Sequence, residues 1–308
     1  MTEQFCDVGR GITLCYETFG DPSDPPVLLV MGLGTQMIAW QEDFCAALAE
    51  RGFHVVRFDN RDIGRSTHLP GPPPTLRQLL MRSRRAARYS LADMAEDAAG
   101  LLRELDISPA HVVGASMGGM IAQTLAARHP RSVRSLVSIM SSTGSMRAGQ
   151  PSLRVYPTFL RVAPQERSAF IEHTVRLFRL IGSPGMPRDI EDIRMLAAAS
   201  YDRDHDRAGA GRQLAAIIAA GDRTQELRRI DTPTLVIHGT ADPLIALSGG
   251  RATARAIAGA RLMRVEGMGH DLPRMLWPRL LDAIAQHARL SDAEQAPVAR
   301  RDPPLQTA

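Results

Sequence analysis

The sequence predicts an α/β protein with a mostly parallel central sheet, helices on both of its faces and an inserted block of helices. Three observations predict it. Short apolar runs alternate with amphipathic helical segments as far as Met140 and resume at Thr234, the pattern of a parallel sheet wrapped on both sides. Between those points the alternation stops and only helical periodicity remains. The apolar pair Val112-Val113 leads through Gly114-Ala115-Ser116-Met117-Gly118 straight into a helical segment. That strand–turn–helix is the context a G-x-S-x-G elbow requires, with the serine hydroxyl thrust out of a strained turn.

The elements follow in order. Residues 5–8 and 12–19 flank a Gly9-Arg10-Gly11 turn and read as a β-hairpin, followed by the loop 20–26. Val27-Leu28-Leu29-Val30-Met31 is a continuous apolar run, as expected of a strand buried on both faces. A helix over 40–50 ends at Gly52, and residues 53–58 form the next buried strand. Residues 59–74 are loop, punctuated by Pro70, Pro72, Pro73 and Pro74. Ser90 caps a helix over 91–105, with Leu91, Met94, Ala98, Leu101, Leu102 and Leu105 at helical spacing. The elbow strand and its helix come next, then a strand over 133–140. Helices over 165–181, 189–200 and 206–220 fill the insertion. Strands at 234–238 and 260–265 enclose a helical segment near 251–257, and a last helix covers 273–289.

This organisation predicts a core of residues 1–142 and 230–290, a helical cap of 143–229 over the sheet's carboxyl edge, and a disordered tail of 291–308. The 308 residues suffice for a sizeable core, and 44% hydrophobic with 23% charged content is ordinary for a globular protein. No apolar run approaches the roughly 18 residues of a membrane span. The first residues lack the basic start and apolar stretch of a signal peptide, so a cytoplasmic location is expected. Net charge is +4 and every basic residue is arginine, but the arginines are scattered among acidic neighbours, which speaks against nucleic acid. The dense cluster from Arg82 to Arg88 reads as a solvated helix face or a mobile loop. Cys6, Cys15 and Cys45 fit no zinc spacing and lie in no elbow; Cys45 reads as a small buried apolar residue.

A serine hydroxyl needs a base to take its proton, and the base needs a third group to hold its tautomer. In elbow enzymes the acid and then the histidine follow the serine along the chain. Asp242, in His238-Gly239-Thr240-Ala241-Asp242-Pro243, lies just beyond a buried strand's carboxyl end and is the candidate acid, although it could also cap the following helix. His270, in Gly267-Met268-Gly269-His270, lies in a glycine-rich loop after the last strand and is the candidate base. Asp271 is a rival acid, but adjacent side chains usually diverge; His287, in the last helix, reads as a surface or packing residue. An oxyanion hole needs two donors, assigned to the backbone N–H groups of Met117 and of Leu33 in Gly32-Leu33-Gly34-Thr35.

With these residues in hand, the chain resembles the α/β-hydrolase superfamily from residue 1 to about 290. The elbow, the Asp242 segment and the His270 loop match three of its motifs in order. Met31 departs from the histidine that many members carry before the oxyanion glycine; the donor is backbone, so the hole should survive. Residues 58–67, Phe-Asp-Asn-Arg-Asp-Ile-Gly-Arg-Ser-Thr, together with Met31-Gly32-Leu33-Gly34 and Trp40, are similar to a bacterial aclacinomycin-methylesterase-like subgroup.

The resemblance implies a serine esterase acting on a small-molecule ester with no metal or organic cofactor. Tyr156, Phe159, Phe170, Phe178, Met186, Met195 and Tyr201 of the insertion could meet a hydrophobic acyl or alcohol group. The same three residues would also support C–C bond hydrolysis, perhydrolysis, lactone opening or acyl transfer. A hydrolase-fold binding protein would need no complete set of them.

Overall fold

The computed structural model describes residues 2–159, 164–187, 189–206 and 208–295. Eight strands form one sheet: β1 (Gln4–Asp7), β2 (Thr13–Phe19), β3 (Pro26–Val30), β4 (His54–Phe58), β5 (Ala110–Ala115), β6 (Val133–Ile139), β7 (Thr234–Gly239) and β8 (Arg261–Val265). Their spatial order is β1-β2-β4-β3-β5-β6-β7-β8. The β1–β2 and β2–β4 pairings are antiparallel and all later ones parallel, so the expected α/β architecture is the one adopted.

Around the sheet run α1 (Glu42–Ala49), α2 (Leu76–Leu80), α3 (Leu91–Glu104) and α4 (Met117–Arg128). Between β6 and β7 lie α5 (Tyr156–Phe159), α6 (Arg167–Ile181), α7 (Ile190–Arg203), α8 (Ala208–Ala220) and α9 (Thr224–Leu227), and around β8 lie α10 (Leu247–Ala256) and α11 (Trp277–Gln295). Pleating sends alternate residues to opposite faces. Leu28, Val30, Val56, Phe58 and Val112 join Leu91, Met94 and Leu101 of α3 and Ile121 of α4 in one core. Val27, Leu29, Val55, Val113 and Ile237 join Phe44 of α1 and Trp277, Leu280 and Ile284 of α11 in the other, with Cys45 among them.

Local chemistry sets the boundaries. Ser90 and Asp93 form a reciprocal capping box at the start of α3, as the serine predicted. The first helix begins later than expected, because residues 37–39 make a separate 3₁₀ turn before α1. Helix α2 was not anticipated in the proline- and arginine-rich stretch; a Thr75–Gln78 capping box starts it. The last helix passes the expected boundary at 290 and continues to Gln295. Ser291 is buried with its Oγ donating to the His287 carbonyl, and Gln295 Nε2 donates to the Arg134 carbonyl. The rest of the expected tail, 296–308, lies outside the described residues. Among the described residues no helix is long and apolar enough to cross a membrane.

His287 is itself buried, between Arg261 (3.2 Å) and the Pro233 carbonyl (3.2 Å), and burial above all pulls its pKa down to about 4. The unfolded chain takes up this proton near pH 6.5, so between about pH 6.5 and 4 the unfolded state binds more protons and stability falls as pH is lowered. His54 and His111 are shifted downward by burial as well and act in the same sense. Urea unfolding from pH 7 to pH 4 should therefore show a progressive loss, with His287 contributing roughly 3 kcal/mol. His287→Gln should flatten the slope, and an unchanged slope would remove His287 from the account.

Candidate active site

Ser116 stands between β5 and α4, where the chain leaves a fully buried strand and enters a buried helix within one residue. Its backbone is in the left-handed region (φ 55°), a strained state that needs support on both sides. The Ser116 N–H donates to the Ile139 carbonyl of β6 (2.9 Å), and its own carbonyl accepts from Met120 N in α4 (3.2 Å). The flanking glycines are sterically required: a Cβ on Gly118 would lie 2.1 Å from the Val30 carbonyl oxygen, and one on Gly114 2.2 Å from that of Gly118.

Two loops at the carboxyl edge bring the other candidates to the serine. Thr240 N donates to the Val265 carbonyl (3.0 Å), Ala241 N to the Met268 carbonyl (3.0 Å), and Gly267 N to Thr240 Oγ1 (3.0 Å). The loops after β7 and β8 are thus laced together. His270 Nε2 lies 3.0 Å from Ser116 Oγ, and its Nδ1 lies 2.7 Å from Asp242 Oδ2. Asp242 Oδ1 accepts from the Leu244 and Ile245 amides (2.9 Å each), and the carboxylate is fully buried. Asp271 instead accepts from the Ser183 amide and hydroxyl, on the insertion. Ser183 Oγ in turn accepts from Gly269 N (2.8 Å), and the His270 amide donates to the Ile181 carbonyl at the end of α6 (2.8 Å). These braces come from a segment that sequence reading treated only as a source of apolar surface.

The oxyanion candidates flank the serine. A Cβ on Gly32 would lie 3.2 Å from Ser116 Cβ, which places the Gly32-Leu33 loop beside the hydroxyl. Met117 is the first residue of α4, where a helix leaves its N–H groups unpaired. Neither its amide nor that of Leu33 donates to a protein acceptor among the described residues.

The 58–67 segment that carried the finer resemblance is a clamp of buried charge. Asp59 accepts from Met37 N (2.7 Å), Arg65 N (3.0 Å) and Arg203 of α7 (2.8 Å). Asn60 Nδ2 donates to the Met31 carbonyl (2.9 Å) at the root of the Leu33 loop. Asp62 takes both arms of Arg212 in α8 (2.7 and 2.8 Å) and the Leu69 amide (2.7 Å). Gln213 Oε1 accepts from Gly34 N (2.9 Å), and its Nε2 donates to the Arg61 carbonyl (2.8 Å). Sequence reading missed Arg203, Arg212 and Gln213, because nothing in a single helix shows which distant carboxylate or amide it meets.

Other candidates have structural employment. Burial chiefly pushes the Cys15 and Cys45 thiols up to about 12, which keeps them un-ionised. Arg223 is wholly buried and shifted down to about 10 by that burial; it donates to the Met120 carbonyl (3.1 Å), Gln123 Oε1 (2.9 Å) and the Ser142 carbonyl (2.7 Å), tying α4 to the end of β6. Of the aromatic and methionine residues of the insertion, Phe170 and Tyr201 pack on each other (5.5 Å between centroids) and Met195 is exposed. Met186 packs against the core near the His270 loop. The side chain of Phe159 lies outside the described residues. Among the described residues no cluster of three metal-ligating side chains occurs.

Residues 25–273 match the family model described as alpha/beta hydrolase fold, and the chain belongs to that family. It is 29% identical over 299 residues to a rhodomycin D methylesterase of Streptomyces peucetius, covering 90% of this chain and 95% of the relative. It is 25% identical over 244 residues to 3-oxoadipate enol-lactonase 2 of Acinetobacter baylyi, covering 79% and 80%. The crystal structure of an enol-lactonase from Burkholderia xenovorans superposes with a TM-score of 0.69 at 26% identity, covering 94% of this chain and all of that one.

Breaking the Asp62–Arg212 pair should be costly, since both partners are buried. Arg212→Ala leaves an uncompensated carboxylate and should lower the unfolding free energy by about 3 to 5 kcal/mol. The double change Asp62→Asn with Arg212→Met removes both charges and should recover part of the loss. Urea titration reads both; a single-variant loss below about 1 kcal/mol would show the pair to be screened.

Proposed function

On the premise of that family, we propose that this chain is a serine esterase in which Ser116 is the nucleophile, His270 the general base and Asp242 the acid that orients it. The observation that carries the reading is the continuous line from Asp242 Oδ2 through His270 (2.7 and 3.0 Å) to a serine held in a strained strand–helix turn. With Nδ1 protonated toward Asp242, Nε2 presents its lone pair to the hydroxyl. Ser116 Oγ attacks the ester carbonyl carbon while its proton passes to His270 Nε2. The tetrahedral oxyanion accepts from the Met117 and Leu33 amides. As it collapses the alcohol leaves with the proton from His270, and the acyl group stays on Ser116. Water then attacks the acyl carbon, again giving its proton to His270. The acid departs as that proton returns to Oγ.

The substrate class proposed is a small-molecule carboxylic ester, with a methyl ester supported by the similarity to the rhodomycin D methylesterase. Residues 143–229 would serve as the cap over it, and a cytoplasmic setting is part of the same reading. A second reading, opening of a lactone, is favoured by the similarity to the enol-lactonases; it uses the same steps on an internal ester.

A panel of nitrophenyl esters, methyl esters of graded acyl size and simple lactones separates the two readings by relative kcat/KM. A fluorophosphonate should label Ser116. Ser116→Ala and His270→Ala should each lower kcat on the order of 10⁴-fold. Equal ester turnover by Ser116→Ala would sink the serine mechanism.

A further inference from the structure

His238 is the penultimate residue of the strand that delivers Asp242, and the proposed reaction leaves it without a role. It is completely buried, with Nε2 2.8 Å from the Ile245 carbonyl and 3.7 Å from Asp242 Oδ2. A nitrogen facing a carbonyl must carry the proton, so Nε2 is the donor. Nδ1 is then a lone pair, and among the described residues it has no hydrogen-bond partner. Gly250 of α10 closes over it: a Cβ there would stand 2.5 Å from Nδ1. That packing leaves no acceptor for a second ring proton, and burial in turn lowers the pKa of His238. Asp242 and, beyond it, His270 are the titratable groups that act on it; α10 presents glycine, and Arg264, its register partner in β8, points its side chain to the surface.

We propose that His238 is a positioning residue for Asp242, an imidazole that donates through Nε2 and so shapes the turn holding the acid. The turn closes on itself through it. His238 Nε2–H donates to the Ile245 carbonyl, while the Ile245 amide, with that of Leu244, donates to Asp242 Oδ1. Oδ1 is thereby saturated and Oδ2 is left for His270 Nδ1. The same N–H also places the positive end of its dipole near Oδ2, 3.7 Å away, without offering a competing cation. Two imidazoles flank one carboxylate oxygen, and it is His270 whose second ring nitrogen faces Ser116.

The inference rests on the reading of Asp242 as the acid of the site, and a double-mutant cycle tests the two separately. The readout is the rate of fluorophosphonate labelling, followed at stoichiometric enzyme so that weak variants remain measurable. Nitrophenyl acetate kinetics and thermal unfolding accompany it. His238→Leu, which removes the donor, should lower labelling and kcat about tenfold, with KM changed less than twofold. His238→Gln restores a neutral donor and should recover most of that loss.

In an Asp242→Asn background His238→Leu should cost little further, because its effect runs through the carboxylate. An equal loss in both backgrounds would mark His238 as ordinary core, and no loss in either would do the same; each overturns the proposal. Should His238→Leu fail to fold, Gly250→Ala displaces the ring with residue 238 retained, and the same cycle is read with it. Wild-type labelling by Asp242→Asn alone would instead remove Asp242 from the site, a failure of the earlier reading that carries this one with it.

Discussion

The site depends on the approach of α4 to the end of β3, where only a hydrogen fits between the Gly118 α-carbon and the Val30 carbonyl. Everything at the carboxyl edge is arranged around it. A helix that begins so near the neighbouring strand forces the turn before it into the left-handed region, and Ser116 occupies that turn. Strain there is of the order of 1–3 kcal/mol. It persists because β6 takes the serine's N–H and α4 takes its carbonyl. The same close approach sets the Gly32-Leu33 loop beside the hydroxyl, so the proposed nucleophile and the proposed oxyanion donors share one origin in the packing of three strands and one helix.

A second layer of order comes from charge. Asp59 and Asp62 are fully buried carboxylates, which is unfavourable unless every lone pair is used. Asp59 receives hydrogen bonds from two backbone amides and Asp62 from one, and each also receives them from an arginine of the insertion. Because hydrogen-bonded ion pairs are directional, they hold α7 and α8 in one register over the sheet, whereas apolar contact alone would tolerate sliding. Gln213 extends that register to Gly34, next to the proposed oxyanion loop.

The sheet was legible because it is written in contiguous residues. Runs such as Val27–Val30 and Val112–Val113 are apolar on both faces, and Ser90 announces the start of the helix that follows it. Ser116, Asp242 and His270 could be picked out because a turn glycine or a strand end sits within a few residues of each, and the structure brings the three together. The clamp was not legible. Arg203 lies 144 residues from Asp59 and Arg212 150 from Asp62, and a helical arginine looks the same whether it meets solvent or a buried acid. The late start of α1 escaped for the opposite reason. Trp40 has the hydrophobicity of a helix face, but its burial is achieved from a 3₁₀ turn whose amide at Met37 is taken by Asp59.

The insertion and the proposed base depend on each other. The His270 loop hangs from β8 by lacing to the loop after β7, yet its backbone is also bonded to Ile181 and Ser183 at the end of α6. The imidazole therefore has two supports, one in the core and one in the insertion. Under the proposed cap role, the apolar faces of α6 and α7 are free to change composition without touching the core support. The last turn of α6 has no such freedom: a Cβ on Gly182 would meet Asp271, and one on Gly269 would meet the Gly182 backbone, so the two segments pass at backbone contact. Displacing residues 181–183 displaces His270. Freedom to vary the proposed cap thus ends where its backbone becomes a support of the proposed base.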